Sequence, residues 1–382
     1  MKRCARSMKS CAPWWAMGTD CSSCASASHC STGSAQAHGN AAPQSLARSQ
    51  QLQRRRRWLQ LSFFTVFLLA PAFNLLRFDL TETQLWVLGF RWPLGIDAFT
   101  RGEATAVQTA WSIVWRGILP VLALAIGFLA VAYHLGRVYC GWLCPHFSLV
   151  ELLNDLLHRA SGKLSVWDKS PTPRAGRSAD QRWWPVFLAA CLVFGFLWAI
   201  TLLTYLLPPA MVWSNLVHGT LTANQARFLG IGTLVFTLEF TLARHLFCRF
   251  GCAVGLFQSV AWMANPKAMV VSFNRSRARE CKTCEVMPLR RLPARPATLP
   301  FAPVVAGTHP APSRGSACDH ACPMRLNPRN IKRMMFACVQ CGQCLSACDA
   351  TQTHQGRTPT LEWKVGLDAV RETLRHKREG DH

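Results

Sequence analysis

Four runs of sequence almost free of charge constrain this chain more than anything else in it. They are Trp58 to Leu76, Gly117 to Leu135, Trp183 to Leu207 and Phe228 to Phe247. Each is close to the ~20 residues that a helix needs to cross hydrocarbon. Trp58, Trp111, Trp115, Trp183 and Trp184 stand at their edges, where amphipathic rings favour the membrane interface. Buried helices of a large soluble protein would not explain those edges. The expected fold is therefore a polytopic α-helical membrane protein of about four transmembrane helices. The composition agrees: 50% of residues are hydrophobic and only 16% charged.

The net charge of +23 is distributed in a telling way. Arg54 to Arg57 precede the first run, Arg137, Arg159, Lys163, Lys169, Arg174, Arg177 and Arg182 separate the second from the third, and Arg249, Lys267, Arg275, Arg277 and Arg279 follow the fourth. The other two loops are balanced or uncharged. Positive loops stay inside, so both termini are expected in the cytoplasm and the protein in the cytoplasmic (inner) membrane. Nucleic acid is not an expected partner, because the basic residues flank apolar segments and follow no binding motif.

Four blocks follow from composition. Residues 1–53 are a Ser/Ala-rich leader, expected to be disordered, with Cys21-x2-Cys24 but no second pair. Low-complexity polar tracts cannot offset their ordering entropy. Residues 54–273 form the membrane domain, and residues 274–355 a cysteine-rich domain interrupted by a Pro-rich insert at 288–316. Residues 356–382 are a charged tail.

The cysteine-rich domain holds the strongest chemical signal. Cys338-x2-Cys341-x2-Cys344-x3-Cys348 has the spacing of a ferredoxin cluster motif, in which three thiolates wrap one cubane and the fourth reaches another. Structural zinc takes two separated pairs and has no use for this run. A second motif is split by the insert: Cys281-x2-Cys284, then Cys318-x3-Cys322-Pro323. Joined, the motifs predict two 4Fe–4S clusters in a C-terminal cytoplasmic ferredoxin domain. Cys281, Cys284, Cys318 and Cys348 would hold one, and Cys338, Cys341, Cys344 and Cys322 the other. A degenerate first site is the rival reading.

Two further pairs sit where apolar runs end. Cys140-x3-Cys144 follows the second run and Cys248-x3-Cys252 the fourth. Each half of the membrane domain has two spans, then C-x3-C, then an amphipathic stretch. That is a parallel repeat, whose axis along the membrane normal would bring the four thiols together. They are candidates for a redox or metal site with an additional metal or cluster, against the plainer reading of a buried turn. Met211 and His218 are weaker candidates for soft-metal ligands. Glu239, an acid inside the fourth run, reads equally as a functional carboxylate or as a partner of Arg244. His134 and His245 are candidate haem ligands, the plainer and preferred reading being single histidines near the interface, and Cys191 reads as core.

These motifs, "CGWLCP", "CRFGC" and the paired ferredoxin motifs, resemble the membrane polyferredoxins of NapH, NosR and CcoG/FixG type. The segment "FDLTETQLWVLGFRWPL" at 78–94 and "CVQCGQCLSACD" are most similar to the CcoG/FixG group. The likeness covers roughly residues 54–365. Three features depart from it: the insert, Ala253 in place of the proline after the second membrane pair, and no C-terminal immunoglobulin-like domain. The resemblance implies electron transfer through 4Fe–4S clusters between a cytoplasmic or quinol donor and a membrane redox partner or outer-face acceptor. A copper reductase acting in cytochrome oxidase assembly is the alternative enzyme reading, and a zinc-binding assembly scaffold the alternative without redox chemistry.

Overall fold

A computed structural model describes residues 36–81, 84–169, 179–284, 316–330 and 335–379. The chain divides into two compact units, Met1–Asn40 and Ala41–His382. The first is described only from Gln36, and the second carries the membrane helices and the cysteine-rich domain. The cysteines of the leader and most of the 288–316 insert lie outside the described residues.

Helix α1, Gln36–Leu69, begins inside the expected leader. Residues 41–57 are rich in Ala, Gln, Leu and Arg, all strong helix formers. The first expected span, to Leu76, is cut short. Pro71 cannot continue a helix without clashing with the preceding turn, and after a turn Leu76 enters a strand. Strands β1 (Leu76–Asp79), β2 (Gln84–Val87) and β3 (Phe90–Trp92) form an antiparallel meander with Leu76 opposite Val87 and Leu85 opposite Trp92.

Among the described residues, three helices are long and apolar enough to cross a membrane: α2 (Ala106–Leu135), α4 (Trp183–Leu206) and α5 (Ala223–Ala243). Three of the four expected apolar runs lie in these helices, and the first lies in α1. The second begins earlier than expected and the fourth ends sooner. The apolar part of α1 is shorter and lies along α4, with Phe64 and Phe67 against Trp198 at 5.9 and 5.1 Å and the Tyr205 hydroxyl donating to Phe67 O. The order of these contacts makes α1 and α4 run in the same direction. Helix α4 packs along α5, and α2 is left almost wholly exposed along its apolar length, as a lipid-facing helix requires.

Helices α2 and α5 open alike. Thr105 and Thr222 each accept a hydrogen bond from the backbone of a glutamine three residues on, Gln108 and Gln225, whose side chains return the bond. These capping boxes satisfy otherwise orphaned N–H groups. Both helices contain a π-helical turn, Val114–Ile118 and Glu239–Ala243. Each then leads through a C-x3-C turn into another helix, α3 (Pro145–Ser161) or α6 (Ala253–Ala264). Helix α3 buries Phe147, Leu149, Val150, Leu153 and Leu157 and packs on α4, while α6 packs on α2.

The cysteine-rich domain is closed by a two-stranded antiparallel sheet. Strand β4 (Val270–Phe273) pairs with β5 (Leu361–Lys364), Phe273 opposite Leu361. The domain therefore runs past 355, into residues expected to form the tail, because β5 supplies the only partner β4 has among the described strands. Between them lie α7 (Ala317–Ala321) and α8 (Gln343–His354), packed together. Helix α9 (Leu367–Glu379) comes last.

Candidate cluster and thiol sites

Strand β4 leads into a 3₁₀ stretch, Arg275–Thr283, that carries Cys281 and delivers Cys284. Helix α7 carries Cys318 and ends at Cys322, and α8 carries Cys344 and Cys348 one turn apart. The structure brings each expected set of four together. Cys281, Cys284, Cys318 and Cys348 line one small cavity, with Ser316, Arg329, Thr351 and Thr360. Cys322, Cys338, Cys341 and Cys344 line another, among Val271, Met324, Leu326 and Met335. Helix α8 serves both cavities.

The two differ in polarity. In the first, Gln352 Nε2 donates to Cys284 Sγ at 3.2 Å, and the Ser316 hydroxyl lies 3.0 Å from Cys318 Sγ. Thr360 meets Cys348 Sγ with its hydroxyl at 3.3 Å and its backbone N–H at 3.4 Å. Around the second, Leu326 N–H donates to Cys322 Sγ at 3.4 Å and the other lining groups are mostly apolar. Burial pushes the thiols of Cys318, Cys322, Cys338 and Cys341 up to about 12. Such thiols stay protonated until a cation displaces the proton, so cofactor binding releases protons.

The membrane pairs also converge. Cys140, Cys144, Cys248 and Cys252 line a cavity of about 300 Å³, with Arg137, His146, Glu239 and a wall of Phe147, Trp198, Phe236 and Phe247. Cys140 lies on a short helix, Val138–Trp142, and Cys144 immediately precedes Pro145 at the start of α3. Cys248 and Cys252 hold the matching places before α6. Glu239 pairs with His146 at 3.0 Å, not with Arg244. Arg244 instead donates to Asn154 Oδ1 and to backbone carbonyls of its own helix. The other face of His146 meets Cys248, Nδ1 to Sγ 3.5 Å.

Among the described residues, no three His, Cys, Asp or Glu side chains converge closely enough to hold a single metal ion. Each cysteine quartet surrounds a cavity instead.

Backbone contact joins the membrane thiols to the ferredoxin domain. Gly141, inside the first C-x3-C turn, lies so close to Val339 O that a Cβ there would overlap it, with Cys341 N at 3.3 Å. Trp142 Nε1 donates to Gln340 O at 3.0 Å. Arg56, 1% exposed, donates to Gly141 O and forms a two-pronged ion pair with Glu151, which also accepts from Gln343. The arginine run, the thiol pairs and the ferredoxin domain thus share one end of the helical bundle. The meander lies at the other, where Leu80 N–H donates to Leu206 O.

Other sequence candidates fare differently. His218 Nδ1 lies 2.8 Å from Ser214 O, and Met211 lies on the short helix Pro209–Val217 that His218 caps. His245 is buried, and desolvation together with Arg325 and Arg244 pushes its pKa down to about 4. His134 meets the Tyr133 ring edge-on, centroids 5.2 Å apart. Cys191 is core. Arg137, His146, Gly141 and Glu151 escape sequence reading. Arg137 stands in the sequence only as a loop charge, and the "CPH" step after Cys144 is the signal available for His146.

The family of 4Fe-4S binding domains matches residues 118–163, which span the end of α2, the Cys140–Cys144 turn and α3. Over 238 residues, 58% of this chain, it is 25% identical to Protein RdxA of Cereibacter sphaeroides. It is 25% identical to the methylamine utilization ferredoxin-type protein MauN of Methylorubrum extorquens over 258 residues, 65% of the chain. It is 24% identical to the putative electron transport protein YccM of Escherichia coli over 246 residues, 61% of the chain. The matches span 42%, 77% and 54% of those relatives. No solved structure matches.

Proposed function

We propose that this polyferredoxin-like 4Fe–4S protein, related to its neighbours at modest identity, passes single electrons between a cytoplasmic or quinol donor and a membrane or outer-face acceptor. The grouping of eight cysteines into two cavities carries this reading, since α8 hands one cysteine to each, as ferredoxin spacing requires. Cys281, Cys284, Cys318 and Cys348 would hold one cluster, and Cys322, Cys338, Cys341 and Cys344 the other. Bound clusters supply one-electron chemistry. The chain's own residues exclude water from the sulfurs and set the electrostatic field around them. Basic residues crowd the end of the bundle that carries the ferredoxin domain, which supports a cytoplasmic placement for that domain and both termini in the inner membrane. Kinship with a ferredoxin-type protein, MauN, supports a carrier more than an enzyme with a small-molecule substrate.

Anaerobically purified protein is expected to carry at least about eight iron and eight sulfide per chain and to give the magnetic resonance signal of reduced cubanes with dithionite. Cys318→Ser and Cys322→Ser should each perturb a different redox wave. Stoichiometric zinc with negligible sulfide, or both variants damaging one wave, would overturn the reading. Copper reduction by the dithionite-reduced protein would identify the acceptor as a metal and make the protein a reductase.

A further inference from the structure

The four arginines from Arg54 to Arg57 divide by environment. Arg56 is buried in its ion pair with Glu151, whereas Arg54, Arg55 and Arg57 are exposed. Neither Arg54 nor Arg57 has an ion-pair partner among the described residues. Both line a groove of about 490 Å³, where Arg54, Arg57, Trp58 and Leu61 of α1 stand across from Ser346 and Ala350 of α8. Those four α1 residues are spaced i, i+3, i+4 and i+7 and so share one helix face. Arg55 does not line the groove, and neither does any Asp or Glu among the described residues. Gln53 ties the two walls, its Nε2 donating to Ser346 Oγ and to Cys341 O, each at 3.2 Å. Trp58 is 62% exposed and Leu61 54%, and beyond them α1 leaves Val66 and Leu69 open. The groove thus has two uncompensated cations at one end and an apolar face running on from the other, where the first apolar run begins.

We propose that this groove holds one anionic phospholipid, its phosphate between Arg54 and Arg57 and its chains along Trp58 and Leu61. A guanidinium meets a phosphate through paired, charge-assisted hydrogen bonds. Basic residues just outside a membrane helix attract anionic lipid, and an indole favours the headgroup level. An acidic soluble protein would satisfy the arginines but not a face that continues into Val66 and Leu69, for which hydrocarbon is the matching phase. The lipid would bridge α1 to the helix that carries Cys344 and Cys348, and so bind the folded junction and not the unfolded chain. A ligand of that kind stabilises the fold. This lipid site needs neither a bound cluster nor an electron partner.

The test takes the whole chain in detergent, offers it phosphatidylglycerol or phosphatidylcholine, and reads retention by native mass spectrometry. About one phosphatidylglycerol per chain is expected to survive where phosphatidylcholine is lost, and its addition should raise the thermal midpoint. Arg54→Gln and Arg57→Gln should each weaken retention about fivefold, while Arg55→Gln, off the groove, should leave it unchanged. Ala350→Trp fills the groove without altering charge and should abolish both the retention and the rise in midpoint. Ala350 is exposed; should the tryptophan lower the midpoint without lipid, the charge variants, which keep the shape of the groove, decide. Equal loss from Arg55→Gln would overturn the site in favour of diffuse attraction to the basic run. Equal retention of phosphatidylcholine would overturn it as a mere apolar seam, and displacement by glycerol 3-phosphate as a site for free anions.

Discussion

Thr360 touches two sulfurs of one cavity: its hydroxyl lies 3.3 Å from Cys348 Sγ and 3.6 Å from Cys281 Sγ. A hydrogen bond to a cluster sulfur strengthens as the cluster gains an electron, so it raises the potential. Thr360→Val keeps the shape and removes the hydroxyl. A bond of about 1 kcal/mol corresponds to a potential lower by about 40 mV. A potentiometric titration followed by magnetic resonance checks this, and an unmoved wave would remove the hydroxyl from the tuning of this site. The more apolar cavity of Cys322 should titrate at the lower potential of the two. At this scale the cysteines are legible in the sequence, because their spacing along the chain dictates which sulfurs can meet one centre. Thr360, Arg137 and His146 are not, because nothing local marks a hydroxyl, guanidinium or imidazole that tertiary packing brings to a sulfur.

Three elements meet at Glu151, where α3, α1 and α8 are tied together by Arg56, Gln60 and Gln343. Breaking a buried ion pair from one side leaves the other charge uncompensated, at a cost of about 3–5 kcal/mol. Arg56→Met should therefore lower the thermal midpoint markedly, and Arg56→Met/Glu151→Met should recover part of the loss. Unfolding in detergent, followed by loss of cluster absorbance, measures both. Equal midpoints for the single and double variants would show that Glu151 is not left stranded. Element positions are partly legible. The three long apolar helices follow from apolar length, but the early end of α1 depends on Pro71 meeting a strand. Strand β5 reads as tail because four residues in a charged stretch carry little pattern until β4 pairs with them. The matched Thr-x2-Gln boxes at 105–108 and 222–225 are present in the sequence and give the repeat a second marker beside the cysteines.

Over the whole molecule, charge and fold point the same way. Reporter fusions after Ala160 and after His354 should be active only for a cytoplasmic reporter, and fusions within 216–224 only for an outer one. A reporter active outside after His354 would put the ferredoxin domain in the other compartment and sever it from a cytoplasmic donor. The repeat is legible because each half reproduces the same order of span, turn and thiol pair, whereas the packing of the ferredoxin domain onto the first turn, through Gly141, Trp142 and Glu151, carries no local pattern. The repeat also has a consequence for biogenesis. The membrane cavity draws on residues 140 and 252, and the two ferredoxin cavities close only with Cys344 and Cys348. A ribosome must therefore release more than a hundred residues after Cys140 before the first quartet is complete, and must pass Cys348 before the last is. A product stalled before Cys252 would therefore present thiols that no complete quartet shields.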